Sequence, residues 1–161
     1  EKYNSEIQMA FKPHPMLKNN LYNHPDWGIS LTEEYYRKWE NLSNGQLEEG
    51  EYIDLFLNSD AIILDSISFM TEYIVTQKPT LFTIRDRSIY SKFNEFGILN
   101  FNLLYKTNQL EVDIINYIEN IINETDTMKN DRIDFINKYL TPPNNRTASE
   151  NIYGEVEKII S

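Results

Sequence analysis

Residues 59–69 read Ser59-Asp60-Ala61-Ile62-Ile63-Leu64-Asp65-Ser66-Ile67-Ser68-Phe69. Four apolar residues bounded by acids are too few for a helix and fit a strand buried on both faces, as in a parallel sheet. Residues 68–77 then read as a helix, with Ser68 as its cap. Pro79 ends that helix region, and a second apolar run, Thr80 to Ile84, forms the next strand. Strand, helix and strand at this spacing make a β-α-β unit.

The outward reading keeps the alternation. Upstream, residues 6–11 suit a short strand that stops at Lys12-Pro13-His14-Pro15. Residues 16–30 look like loop. Thr32 caps a helix over 33–43 with Tyr36, Trp39 and Leu42 on one face, and Asn44-Gly45 ends it. Residues 51–58 suit a helix with Ile53, Phe56 and Leu57 inward. Downstream, a helical turn near 88–95 and a strand near 101–105 precede the most periodic helix, Asn108 to Asn123. There Asn108 and Glu111 form a variant capping box, and Leu110, Ile114, Ile115, Ile118, Ile121 and Ile122 make the apolar stripe. A helix over 127–140 follows, carrying Met128, Arg132, Ile136 and Leu140. Last comes a helix capped by Ser149, with Ile152, Val156, Ile159 and Ile160 inward. The expected fold is α/β: a Rossmann-like, mainly parallel sheet with helices on both faces, in one domain over residues 1–161.

Composition removes several classes. The 161 residues hold no cysteine, so disulfide scaffolds, thiol nucleophiles and Cys-based zinc sites drop out. No apolar run approaches the ~20 residues of a membrane span. A net charge of −10 argues against a general nucleic-acid or anionic-membrane surface. Five glycines, at 28, 45, 50, 97 and 154, leave no phosphate-binding glycine loop. The charge is uneven. Within 76–106, Lys78, Arg85, Arg87, Lys92 and Lys106 stand against Asp86 and Glu95. This basic island is either a solvated face or a local anion site at one sheet edge.

Two constellations carry chemistry. In Lys12-Pro13-His14-Pro15 the prolines fix the backbone around an ammonium and an imidazole, a pairing suited to a diphosphate or a departing phosphate. The imidazole also suits proton transfer near neutral pH. The plainer reading is a turn with an exposed His. In the second, Ser66 and Ser68 stand where strand becomes helix, where hydroxyls and first-turn N–H groups hold anions without a glycine loop. Glu72, one turn on, suits the hydroxyls of a ribose. The plainer reading is an ordinary cap followed by a dipole-favoured acid. Asp60 and Asp65 point to opposite faces and do not read as a dyad or metal site. Asp86 reads as salt-bridged to Arg85 and Arg87, and His24 as structural.

Taken in order, these pieces resemble the C-terminal half of the CDP-glycerol glycerophosphotransferase family, and more loosely GT-B glycosyltransferases. The resemblance rests on Lys12 to Pro15, Tyr52 to Phe56, Ser59-Asp60, the run Ala61 to Leu64, the turn Asp65-Ser66-Ile67-Ser68, Lys78-Pro79, and the tail Arg146 to Ile152. The family's Tyr-Ser-Ser turn is Ser66-Ile67-Ser68 here, so Ile67 removes one hydroxyl, and the acid after it is Glu72.

The resemblance implies a donor-binding half of a GT-B-like transferase in cell-envelope or capsular polysaccharide synthesis. His14 is then the catalytic residue. Lys12, Asp65, Ser66, Ser68 and Glu72 bind a CDP-linked donor, with His14 and the Ser66/Ser68 turn at the diphosphate and Glu72 at the ribose. It implies no metal and no separate cofactor, and no nucleic-acid partner. A start at Glu1 leads to the expectation of a fragment whose N-terminal half carries the acceptor site and any membrane contact, at the inner face of the membrane. Other readings are a UDP-sugar glycosyltransferase or epimerase half, and a non-catalytic α/β interaction module. For a receiver-like module, the Lys-Pro-His-Pro after the first strand stands where an acidic cluster belongs.

Overall fold

The computed structural model describes Tyr3, residues 5–108 and residues 110–160. The chain divides into two compact units, residues 1–59 and 60–161. Every strand pair among the described residues is parallel, and helices surround two small sheets, so the fold is α/β and Rossmann-like. The single expected sheet is two sheets, of two and three strands.

The first unit runs β1 (Met9–Phe11), α1 (Leu17–Tyr22), α2 (Gly28–Asn41), β2 (Gly45–Leu47) and α3 (Ile53–Asn58). β1 and β2 pair in parallel, with Met9 opposite Gly45. Strand β2 went unpredicted because Gly-Gln-Leu carries no apolar run. Gly45 is required there: a Cβ would lie 2.6 Å from the Leu42 Cβ. The stretch expected as loop holds α1 and the start of α2. Thr32 is inside α2 rather than its cap: it is fully buried and donates its hydroxyl to the Gly28 carbonyl. An aromatic cluster replaces an aliphatic core. The Phe11 ring stacks on Trp39 at 5.0 Å and meets Tyr35 and Tyr36 edge-on. Leu42, Ile53 and Leu57 are exposed, against the expected inward faces, and Phe56 alone of α3 is buried.

The second unit runs β3 (Ile62–Leu64), α4 (Ile67–Tyr73), β4 (Thr80–Thr83), a 3₁₀ turn at Arg87–Lys92, α5 (Glu95–Phe101), β5 (Tyr105–Thr107), α6 (Glu111–Ile122), α7 (Lys129–Tyr139) and α8 (Ala148–Ile160). The sheet order β3-β4-β5 follows chain order. Right-handed crossovers in one direction place successive helices on one face, and α4 and α5 do touch. Leu64, Met70, Phe82, Ile84, Phe101 and Leu104 fill that layer. Leu81 and Tyr105, in register, point the other way. Tyr117 of α6 covers them, with its ring 5.6 Å from Tyr105 and its hydroxyl donating to the Ile62 carbonyl. Burial on both faces explains the uninterrupted apolar run of the central strand β4, whereas β3, expected to be buried on both faces, lies at the sheet edge and exposes Ile63.

Arg132 of α7 is fully buried. It ion-pairs with Asp126, and its Nε donates to the carbonyl of Gln77, which has φ 64° at the turn into β4.

Several local expectations change. Asn108 does not cap α6: the cap position is Leu110, whose N–H donates to the Thr107 hydroxyl, and that hydroxyl donates to Asp113. Within the expected α6 stripe, Leu110 is exposed, the isoleucines are half-buried, and Tyr117 takes the buried place. Thr147 and Glu150, not Ser149, form the capping box of α8, which holds the Glu150 carboxyl below its usual range. Ile152, Val156, Ile159 and Ile160 face solvent, because no described element lies over them.

Candidate functional site

The residues singled out in the sequence fall at the carboxyl ends of strands in both units. In the first unit, β1 ends at Phe11 and the Lys-Pro-His-Pro turn follows directly. Pro13 is buried and anchors the turn. Lys12 reaches back across the loop after β2, and its Nζ donates to the Gly50 carbonyl at 2.6 Å. The Met16 N–H donates to His14 Nδ1 at 3.1 Å, and the Leu17 N–H donates to the His14 carbonyl. With Nδ1 accepting, the neutral ring carries its proton on Nε2. The exposed imidazole therefore presents an N–H donor, which suits a phosphate oxygen.

In the second unit, β3 ends at Leu64 and its carbonyl accepts the Thr83 hydroxyl of β4. Ser66, not Ser68, is the cap of α4: its Oγ accepts from the Phe69 N–H at 3.5 Å. The Ser68 hydroxyl lies 3.2 Å from it, so the two side chains form one small polar cluster at the strand-to-helix turn. First-turn N–H groups of a helix lack intrahelical acceptors, and here they flank that cluster. Ser68 and Glu72 are four residues apart on α4, on one exposed face. Asp65 forms an ion pair with Arg85 at 2.7 Å. Both side chains are largely exposed, so the pair orients the two groups more than it stabilises the fold.

The structure does not gather the basic island at one edge. Lys78 precedes β4 at its amino end, whereas Arg85 and Arg87 follow its carboxyl end and Lys106 lies within β5. Asp86 is not bridged to Arg85 or Arg87: it accepts from the Ser88 N–H and hydroxyl, which hold its carboxyl below the usual range. His24 closes a turn by accepting the Asp26 N–H.

A family model described as CDP-Glycerol:Poly(glycerophosphate) glycerophosphotransferase matches residues 1–158. The chain belongs to this family. Membership covers both units, including the His14 turn and the Ser66/Ser68 turn, and makes the chain part of a glycerophosphotransferase-type system of cell-wall polymer synthesis. No curated protein and no solved structure matches the chain. Among the described residues, no helix of this glycerophosphotransferase-family chain is long and apolar enough to cross a membrane.

The sequence pointed to the two turns through residue type and position. It did not single out Tyr90, which with Arg87 and Lys106 of the basic island lines a cleft at the carboxyl ends of β4 and β5. The signal available was Tyr90 within the basic stretch, three residues from Arg87.

Proposed function

We infer that the chain is the nucleotide-donor half of a GT-B-like transferase that moves a glycerol phosphate group from a CDP-linked donor to a teichoic-acid or capsular type of cell-surface polymer. The observation that carries this reading is the family match over both turns, each at the carboxyl end of a parallel strand, where α/β folds bind ligands. In this reading the Ser66 and Ser68 hydroxyls donate to the diphosphate, Glu72 takes the ribose hydroxyls, and Asp65, set by Arg85, lines the same turn; in the first unit His14 offers its Nε2–H as a phosphate donor. Lys12 fixes the His14 turn through Gly50 and adds positive potential.

The step is a phosphoryl transfer. An acceptor hydroxyl oxygen bonds to the glycerol-bearing phosphorus, the bond from that phosphorus to the bridging oxygen breaks, and CMP leaves with the electron pair. The hydroxyl proton passes to a base supplied with the acceptor site, which this reading assigns to another part of the enzyme. The chain's own contribution is positioning and stabilisation of the charge that grows on the departing phosphate. Attachment to the inner face of the membrane comes through that other part.

Calorimetric titration with CDP, CMP and UDP tests the reading. CDP binding is expected, weakened about tenfold by His14→Ala and by Ser68→Ala, the loss typical of a charged hydrogen bond. Absence of CDP binding at millimolar ligand overturns it, and a preference for UDP replaces it with a UDP-sugar transferase.

A further inference from the structure

Strands β4 and β5 end side by side, with the Ile84 N–H donating to the Thr107 carbonyl at 2.7 Å. Around this edge lies an open cleft of about 570 Å³, lined by Ile84, Arg87, Tyr90, Lys106, Thr107 and Asp113 among others. One buried ring sets its two main groups. Phe101 meets the Tyr90 ring edge-on at 5.5 Å, and the Lys106 Nζ sits 4.9 Å from its centroid. Lys106 spends one N–H on the Leu104 carbonyl, which leaves two of the three ammonium donors. Among the described residues neither Arg87 nor Lys106 forms an ion pair. Asp113, in the same lining, is occupied by the Thr107 hydroxyl at 2.8 Å. Burial pushes the Lys106 ammonium down from its ordinary value, a bias that a bound anion reverses. The cleft thus offers two cations and an exposed aromatic face on a fixed base.

The geometry points to a second phosphate subsite in this cleft, in which Arg87 and Lys106 hold a phosphodiester and the Tyr90 ring packs on the adjoining glycerol carbons. The inference rests on the function proposed above and extends it: the reacting hydroxyl and its base stay with the acceptor site in the other part of the enzyme, and the cleft holds a phosphodiester further back along the acceptor polymer. A polymer of glycerol phosphate presents one phosphodiester per repeat, so an anion site apart from the Ser66/Ser68 turn holds the chain being lengthened. The same phosphate chemistry is available from the donor, and the two sources are separated by experiment.

The full chain is titrated with a synthetic glycerol-phosphate oligomer and, separately, with CDP, for the wild type, Arg87→Gln and Lys106→Met. Each substitution is expected to weaken oligomer binding about tenfold and to reduce its salt dependence, with CDP affinity unchanged. Arg87 is exposed, so its variant reads binding without a folding defect. Loss of CDP affinity with oligomer binding intact overturns the acceptor assignment and gives the cleft to the donor. Unchanged binding of both ligands overturns the subsite. Ser68→Ala is expected to show the opposite pattern, weaker CDP and unchanged oligomer, so failure of the donor reading and failure of the cleft give different results.

Discussion

Among the described residues, proline aside, thirteen apolar side chains are well buried; two of them, Tyr36 and Phe56, lie in residues 1–59 and eleven in residues 60–161. The first unit compensates with aromatic edges around Phe11 and with a polar knot in which the Tyr22 hydroxyl and the Lys18 ammonium both engage Glu33. The second has helices on both faces of its sheet and a clamp from Arg132 to Asp126 and Gln77. A two-stranded sheet is marginal unless other elements cover it. The contrast teaches that His14 is held in place by local turn hydrogen bonds, whereas Ser66 is held by a core. The first unit is therefore expected to open at lower free energy.

Both tryptophans, Trp27 and Trp39, lie in the first unit, which lets fluorescence follow that unit while far-UV circular dichroism follows the whole chain. The largest expected effect is in the second unit. Asp126→Ala leaves the buried Arg132 charge without its partner and is expected to cost about 3–5 kcal/mol, measured by urea denaturation followed by circular dichroism. Phe11→Ala is expected to cost about 2 kcal/mol, from loss of a half-buried aromatic, and to move the tryptophan transition alone. If both transitions move together by the same amount, the two units unfold as one and the contrast fails.

The smallest effect is acid sensitivity of the first unit. The Tyr22 hydroxyl, and then the Lys18 ammonium, hold the Glu33 carboxyl below its usual range. A depressed carboxyl stabilises the fold above its unfolded pKa of about 4.3, and that contribution disappears as pH falls through the lower folded value. The urea midpoint read by tryptophan fluorescence is expected to drop over that acid window, and to drop less in Glu33→Gln.

The sequence was most readable where physics left few choices. The runs Ala61–Leu64 and Thr80–Ile84 identify the parallel strand pair β3–β4; the second run is covered on both faces, while the first exposes Ile63 at the sheet edge. Strand β2 was hidden, since three residues held by pairing and by one tight glycine carry no period. The cap at Ser66 was misplaced by two residues, because either serine satisfies the chemistry and the backbone alone decides between them. The apolar face of α8 showed the limit of periodicity: a stripe reveals a face, not what lies against it. The placement of His14 and of Asp65 and Ser66 just after strand ends was legible from residue type and position. The Asp65–Arg85 pair and the Tyr90–Phe101–Lys106 stack were not, because they join residues whose contact depends on how the strands are ordered.

Phe101 has a consequence for engineering and drift. A single side chain is at once a keystone of the apolar layer and the mount for Tyr90 and Lys106. A replacement selected only for thermostability, such as Phe101→Leu, keeps the layer filled but removes the ring face that both groups rest on. Stability and cleft affinity therefore respond together at this position, and optimising one without assaying the other detunes the surface from the inside.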